Sequence, residues 1–209
     1  MLDLMKKDFL ITKKIAIIAI IISLVVPLLR TMESIPTIAF VSVMSILMGM
    51  LFISNIYESE DKSPKAAAMM TTIGYSRTMQ IVERYLLAFI VFIFCNLIYY
   101  TETGLLNLRD SIEISDILIA FFAFSLVMSL YLGLTTKFGI KLGRLLSMLI
   151  IFFVSMGPAL LAKFNIKISL KFLYGVSMNE VVMVLTVFGI LLYMISLVFS
   201  IKVYSKKEL

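Results

Sequence analysis

The 209-residue sequence contains no histidine and one cysteine, Cys95. A single cysteine excludes a disulfide within one chain, and the lack of histidine nearly excludes a His/Cys metal site. Charged residues make up only 15% of the chain, whereas hydrophobic residues make up 61% and the mean hydropathy is +1.06. Because a soluble domain is usually about 45–50% apolar, the excess indicates an integral membrane protein. One membrane domain is predicted to fill residues 1–209.

The chain also lacks the groups that an ATP site or an enzyme would need. No GxxxxGK[ST] phosphate loop occurs, and GIKLGR at 139–144 does not match one. The apolar runs hold no paired acids and no Ser–Lys arrangement at matched depth, so an intramembrane enzyme is not expected. Neither a cofactor nor a metal is expected in this chain. The N-terminal MLDLMKKDFLITKK has two acids and no small-residue cleavage site, so we expect it to be retained.

Six apolar windows are candidates for membrane-spanning helices, each of which needs about 20 residues. The first window is short unless Lys13 and Lys14 snorkel and join its helix, and Pro27 would bend or end it. The runs lack the period-two alternation of an outer-membrane barrel. The sequence therefore predicts an all-α protein with six transmembrane helices. The windows are 15–29, 35–56, 79–100, 114–135, 145–162 and 181–201.

Lysine and arginine are distributed unevenly between the two sides of this predicted bundle. With a cytoplasmic N-terminus, 14 of the 19 Lys and Arg residues face inward. Because positive residues concentrate on the cytoplasmic side of membrane proteins, both termini and the 57–87 stretch are predicted to be cytoplasmic. The opposite stretch, 101–116, is acidic, which fits that orientation.

Residues 2–13 precede the first window. On a helix, Leu2, Met5 and Phe9 gather on one side, while lysines and Asp8 occupy much of the rest. This pattern predicts a short amphipathic helix in the membrane interface. A frayed basic N-terminus that only sets the topology fits the sequence equally well.

The longest polar interruption in the first half of the chain is YESEDKSPKAAAMMTTIGYSRTMQIVERYLL at 57–87. Ser63 and Pro64 predict a helix start, as N-cap and first helical residue. Gly74 would end that helix, and Ser76 would cap the next one. The prediction is a short helix between two spans, kept in water by its charges. Its Ala and Met side chains would be available to a partner, although a solvated hairpin loop is the plainer alternative.

The second inner segment is TTKFGIKLGRLL at 135–146. Lys137, Lys141 and Arg144 recur at i, i+4 and i+7, which predicts one shared helix face. Gly139 and Gly143 are small residues four apart, a spacing that permits close contact between helices. Ordinary anchoring by inward positive charge is the alternative interpretation.

These pieces together resemble the ABC-2 type permease family, in particular its small six-helix bacterial members linked to cytolytic or antimicrobial peptide export or immunity. Lys7 and Asp8 resemble the family's basic N-terminal opening, and KFGIKLGR at 137–144 resembles its stretch before the fifth span. Gly74-Tyr75 departs from the family's Leu-Pro, and Glu83-Arg84 from its more basic approach to the tyrosine. The residues of the 57–87 stretch that fit the family pattern are Glu58, Asp61, Lys62, Ser76, Arg77, Val82 and Tyr85.

The resemblance implies the permease subunit of an ABC exporter in the bacterial plasma membrane, energised by a separate ATPase chain that holds ATP and Mg. A second permease, identical or paralogous, and membrane lipids would be further partners, and no nucleic acid is expected. The segment 60–78 would be the coupling helix that docks on the ATPase, and Lys137, Lys141 and Arg144 would form the second cytoplasmic loop. The implied coupling residues are Asp61, Lys62, Ala67, Ala68, Met69, Met70, Ile73, Ser76 and Arg77.

The deep polar groups of the predicted spans are hydroxyls and sulfurs, which suit an amphipathic or hydrophobic cargo better than an ion. For each of them, helix packing is the alternative role. A stand-alone secondary transporter or channel with an inverted 3+3 repeat is the second functional hypothesis; against it, no charged residue lies in the middle of a span. The deep groups are Ser42, Met44, Ser45, Met48, Met50, Ser125, Met128, Ser129, Ser155 and Met156.

Overall fold

The computed structural model describes four long helices and several shorter pieces of helix. The helices are α1 (Thr37–Lys62), α2 (Arg77–Leu105), α3 (Ile114–Phe138) and α4 (Met178–Ser205). Residues 140–149 are also helical, as are the described positions near the N-terminus. The described residues are 6–8, 10, 12, 13, 17, 21, 37–62, 76–105, 114–149 and 178–205.

All four long helices are long and apolar enough to cross a membrane. The candidate spans within the described residues are Ser42–Lys62, Thr78–Thr101, Ile114–Phe138 and Asn179–Ser205. They overlap four of the six predicted windows. The predicted span 15–29 and most of 145–162 lie outside the described residues, so six spans remain a prediction.

Helix α1 extends beyond the predicted window 35–56. It continues through the acid-rich residues 57–61 to Lys62. Polar side chains at a membrane surface do not stop a helix, since the backbone of each further turn still forms its own hydrogen bonds. The connection between α1 and α2 is therefore shorter than the hydropathy pattern suggests.

The helices pack around a core supplied mainly by α1, α2 and α3. Helix α4 packs most extensively on α3, while α1 contacts both α2 and α3. Phe124 and Met128 of α3 are fully buried in this core with Ile53 of α1. A Cβ atom on Gly49 would lie 3.3 Å from Met128 Cε and from Phe124 Cε2, so glycine allows α1 to approach α3 closely.

The ends of the described helices meet at one end of the bundle. The last residues of α1, α3 and α4 and the first residues of α2 lie together, because Glu60 contacts Arg84 and Tyr204 contacts Gln80. We call this the charged end of the bundle. Helix α4 has only 11% of its apolar window buried, which is typical of a helix on the outside of a membrane bundle.

Candidate functional site

The predicted coupling segment 60–78 begins and ends at the charged end. Asp61 and Lys62 form the last turn of α1, and both are exposed. Ser76 immediately precedes α2, and Arg77 is the first residue of that helix. The predicted docking residues Ala67, Ala68, Met69, Met70 and Ile73 lie outside the described residues, and their role stays a prediction.

Ser76 caps the N-terminus of α2. The Met79 backbone N–H donates to Ser76 Oγ at 3.2 Å, and the Gln80 N–H donates to the Ser76 carbonyl at 3.3 Å. This geometry satisfies a backbone donor that the first turn of a helix would otherwise leave unpaired. The predicted capping role of Ser76 is confirmed, and the cap fixes where the connection from α1 enters α2.

Arg84 is the most deeply buried cation that the structure describes, with 1% of its surface exposed. Its Nη2 atom forms an ion pair and hydrogen bond with Glu60 Oε2 of α1. The guanidinium also lies over the Tyr57 ring, with Cζ 4.1 Å from the ring centroid. Tyr204 of α4 flanks it at 5.8 Å. Arg84 thus joins the start of α2 to the end of α1 beside the end of α4.

Glu83, the preceding residue, contacts a different part of the chain. It is 1% exposed, and its carboxyl lies next to that of Asp8, which is also 1% exposed. Lys7 Nζ lies 2.9 Å from Asp8 Oδ1 and partly balances these two acids. Asp8 was expected on the polar face of the N-terminal helix, whereas the structure buries it against α2. Leu10, by contrast, is 65% exposed, so among the described residues of this segment Asp8 and Thr12 face the protein and Leu10 faces outward.

The second inner segment contacts the end of α1 through Glu58. Arg144 Nη2 lies 2.7 Å from Glu58 Oε2, and Lys62 Nζ lies 2.8 Å from Glu58 Oε1. Arg144 and Lys62 are 51% and 73% exposed in their side chains, so solvent weakens both pairs. The contact nevertheless places the helical residues 140–149 beside the predicted coupling segment.

The prediction that Lys137, Lys141 and Arg144 share one helix face is wrong. Gly139 has φ +86° and interrupts the helix between Lys137 and Lys141. Its N–H donates to the Thr135 carbonyl at 2.8 Å, which ends α3, and the helix at 140–149 follows. A residue with positive φ after the last helical turn is the usual glycine stop of a helix. Lys137 and Lys141 are both exposed, on separate helical segments.

The close approach predicted for the two glycines holds for one of them. A Cβ atom on Gly143 would lie 2.7 Å from Thr135 Oγ1, so residues 140–149 pack directly against the end of α3. A Cβ atom on Gly139 would meet nothing within 4 Å. Gly139 is therefore needed for its backbone conformation, and Gly143 for the space it leaves.

A group of hydroxyls joins α2, α3 and α4 further inside the bundle. Tyr85 Oη lies 2.7 Å from Ser196 Oγ and 2.8 Å from Ser200 Oγ. Ser196 Oγ donates to the Ser129 carbonyl at 2.6 Å, and Thr136 Oγ1 lies 3.2 Å from Ser200 Oγ. Because Ser196 uses its one proton on Ser129, it accepts from Tyr85, and Ser200 then donates to Tyr85. We call these residues the hydroxyl cluster.

The serines and methionines proposed for a transport path are mostly packed inside the chain. Ser45, Met48 and Met128 are 0%, 2% and 0% exposed. Ser125 and Ser129 donate to carbonyls one turn back in their own helix, at 2.8 and 2.9 Å. Ser155 and Met156 lie outside the described residues. Burial among neighbouring helices favours the packing role for this set.

Sequence reasoning placed Glu83 and Arg84 near the start of a span but did not identify their partners. The sequence does indicate that Glu83 and Arg84 have partners, since ionisable residues inside an apolar helix usually pair within the bundle and mark functional sites. Glu60 was missed because it was assigned to a solvated segment. Tyr85 was noted as part of the family pattern, but its partners on α4 lie more than a hundred residues away.

The sequence of the chain is similar to one known protein family. The family model described as ABC-2 family transporter protein matches residues 3–205. The corresponding comparisons with curated proteins and with solved structures give no match. Members of this family are membrane subunits of transporters rather than enzymes, and they normally work with an ABC ATPase.

Proposed function

Because the chain belongs to the ABC-2 family of transporter proteins, we propose that it is the permease subunit of an ATP-driven exporter. It is a multi-pass membrane protein, and the bacterial plasma membrane is its proposed location. The arrangement of the charged end is the observation that supports the proposal most directly. There the connection between α1 and α2 emerges, held at its base by Arg84 and Glu60.

The positions of the described helix ends support six spans. Asp8 lies at the charged end beside Glu83, while α1 reaches that end only at its last residues. Since α1 has 26 residues, Thr37 lies roughly 39 Å away along the helix at 1.5 Å per residue. The chain between Asp8 and Thr37 has to cover that distance. Phe138 lies at the charged end, whereas Met178 lies at the opposite end of α4. The chain between these two residues therefore also has to cover the length of a membrane-spanning helix.

The distribution of charge supports a cytoplasmic charged end. Every lysine and arginine within the four long helices lies in their turns near that end: Lys62, Arg77, Arg84, Lys137 and Lys202. The opposite ends of α3 and α4 carry Asp116 and Glu180 in their first turns. This asymmetry follows the positive-inside rule. Both termini are accordingly proposed to be cytoplasmic.

A separate ABC ATPase is the proposed energy source. The sequence has no phosphate loop, so ATP and Mg would bind to that partner chain. The ATPase would dock on the 60–78 segment, with Ala67, Ala68 and Met69 among the contact residues. A second permease, identical or paralogous, would complete the transporter.

An amphipathic or hydrophobic peptide of the cytolytic or antimicrobial class is the proposed cargo. The resemblance to small permeases of peptide export and immunity supports this class. So does the lack of a charged residue in the middle of the described spans, since an ion or proton pathway usually contains one. Glu83 and Arg84 lie within the first three turns of α2 and are engaged with Asp8 and Glu60.

Docking can be tested with single aspartate substitutions in the predicted contact surface. Met69→Asp, Met70→Asp and Ile73→Asp are expected to reduce co-purification of the partner ABC ATPase, because a buried charge opposes an apolar contact. Lys202→Asp is the control, since Lys202 is exposed at the same end of the bundle and lies outside the predicted docking and loop residues. Unchanged ATPase recovery in all three variants would contradict docking on 60–78. Transport of a labelled cationic amphipathic peptide by the chain alone, driven by an ion gradient, would contradict the exporter as a whole.

A further inference from the structure

The inference concerns two consecutive residues of α2 that connect three parts of the chain. Arg84 pairs with Glu60 at the end of α1, whereas Glu83 lies next to Asp8 of the N-terminal segment. Consecutive residues on a helix point about 100° apart, since a turn takes 3.6 residues. The start of α2 therefore contacts α1 on one side and the N-terminal segment on another.

The Arg84 side chain is held from several directions. Glu60 contacts one terminal nitrogen, the Tyr57 ring lies below the guanidinium plane, and Tyr204 approaches from α4. Tyr204 Oη in turn donates to Gln80 Oε1 at 3.3 Å, one turn before Arg84 on the same helix. A guanidinium held between two aromatic rings and a carboxylate has little freedom to move relative to α1 and α2.

Stability alone does not explain a buried ion pair at this position. Removing two charges from water costs about as much as their attraction returns, and apolar residues of similar volume often serve equally well. A buried ion pair instead favours one geometry between two elements, because arrangements that separate the groups leave a buried charge unpaired. The Arg84–Glu60 pair therefore fixes the end of α1 relative to the start of α2.

The pair also has a particular place along the chain. Glu60 is two residues before the end of α1, and Arg84 is seven residues after the start of α2, in its third turn. The residues between Lys62 and Ser76, which contain the proposed docking surface, therefore leave and re-enter the bundle just beyond the pair. Because the pair joins the end of α1 to the start of α2, a displacement of that connection would move both helices.

We propose that Arg84 is a positioning residue that makes α1 and α2 move as one unit when the ATPase displaces the connection between them. The inference rests on the proposed function, since it takes the ATPase to dock on that connection. Arg84 and Glu60 would lie behind the docking surface and would not contribute to it. Losing the pair would leave docking intact and would break the transmission of movement along α2.

The experiment uses the chain assembled with its partner ABC ATPase in lipid nanodiscs. Cys95, the one cysteine, is replaced by serine, and Thr101→Cys supplies a reporter near the far end of α2. Thr101 is exposed and lies seventeen residues after Arg84, roughly 26 Å along the helix axis. The measurement is the alkylation rate of the reporter by a water-soluble maleimide, without nucleotide and with ATP and vanadate.

The test variant is the double substitution Glu60→Gln with Arg84→Gln, which keeps both side chains polar and leaves no unpaired buried charge. The control is Lys202→Gln, which removes an exposed charge from the last turn of α4 at the same end of the bundle and leaves the Arg84–Glu60 pair intact. With an intact pair and with the control, nucleotide is expected to change the alkylation rate by about fivefold or more, and by less than about twofold in the double variant. All three proteins are expected to retain the ATPase.

Three results would overturn the inference while leaving the proposed function in place. One is a full response in the double variant, and a second is no response in the protein with the intact pair. The third is loss of the ATPase from the double variant only, which would make the pair part of the docking surface. Failure of the protein with the intact pair to bind the ATPase would instead refute the proposed function, and the inference would fall with it.

Discussion

Replacing Tyr85 with phenylalanine removes one oxygen atom from the hydroxyl cluster and leaves the aromatic ring in place. The ring is 1% exposed and packs edge-on against Tyr193, with centroids 5.1 Å apart. The hydroxyl forms hydrogen bonds of 2.7 and 2.8 Å to Ser196 and Ser200. Because Tyr85 lies on α2 and both serines lie on α4, the substitution removes two hydrogen bonds between helices without creating a large cavity.

The size of the effect follows from what the two serines retain. Ser196 still donates to the Ser129 carbonyl, and Ser200 still has Thr136 beside it. Neither serine is left without a partner, so the larger penalty of an unpaired buried group does not apply. Hydrogen bonds between membrane helices contribute about 0.6 kcal/mol each on average, so Tyr85→Phe is expected to lower the free energy of unfolding by about 1 kcal/mol.

Tyr57→Phe is the matched control for this prediction. Tyr57 is also buried, but its hydroxyl makes no hydrogen bond to α4 and lies instead near the Arg84 guanidinium, outside normal hydrogen-bond geometry. The same chemical change is therefore expected to leave stability unchanged or slightly higher, and the ring stays available to Arg84. Reversible unfolding in mixed micelles with increasing SDS, followed by circular dichroism, measures both variants. Equal stability loss in the two would refute the assignment of the Tyr85 hydroxyl as the link between α2 and α4.

Two further predictions concern the turn after α3. Gly139→Ala is expected to cost about 1–2 kcal/mol of unfolding free energy, since alanine avoids the left-handed region that φ +86° requires; Gly139→Asn is expected to cost less, and equal losses in the same SDS assay would contradict the backbone explanation. Gly143→Ala is expected to cost about 1–3 kcal/mol, because its Cβ would lie 2.7 Å from Thr135 Oγ1. Adding Thr135→Ala should recover part of that loss, and no recovery would show that the clash is elsewhere.

Hydropathy predicts the membrane helices where a long run contains no charge. Helix α3 begins at Ile114, where the predicted window begins, and Met178–Ser205 encloses the predicted 181–201. Both helices run past the ends of their windows, because hydropathy reports burial in lipid and helix ends depend on backbone hydrogen bonds. The same reason explains why α1 continues through its acidic residues to Lys62.

The contacts at the charged end are harder to predict, because they join residues that are distant in sequence. Arg84 is 24 residues from Glu60, and Glu83 lies beside Asp8 from the other end of a predicted span. A sequence shows that these charges exist, and it shows that isolated charges are costly in a membrane. It does not show which of several available acids each cation meets. The break at Gly139 escaped prediction because basic residues at helical spacing on either side suggested a continuous helix.

The burial of the deep serines and methionines bears on where a cargo could pass. Ser45, Met48 and Met128 are all buried, and between α1 and α3 Gly49 leaves the space that Met128 and Phe124 occupy. A peptide moving through that space would have to displace a packed core, which costs several kcal/mol for each large side chain left unpacked. A route between the outer surfaces of two chains carries no such cost. Within the described residues, the packing between α1 and α3 leaves no open route for a cargo, and this supports the proposal that a second permease supplies the other wall of the path.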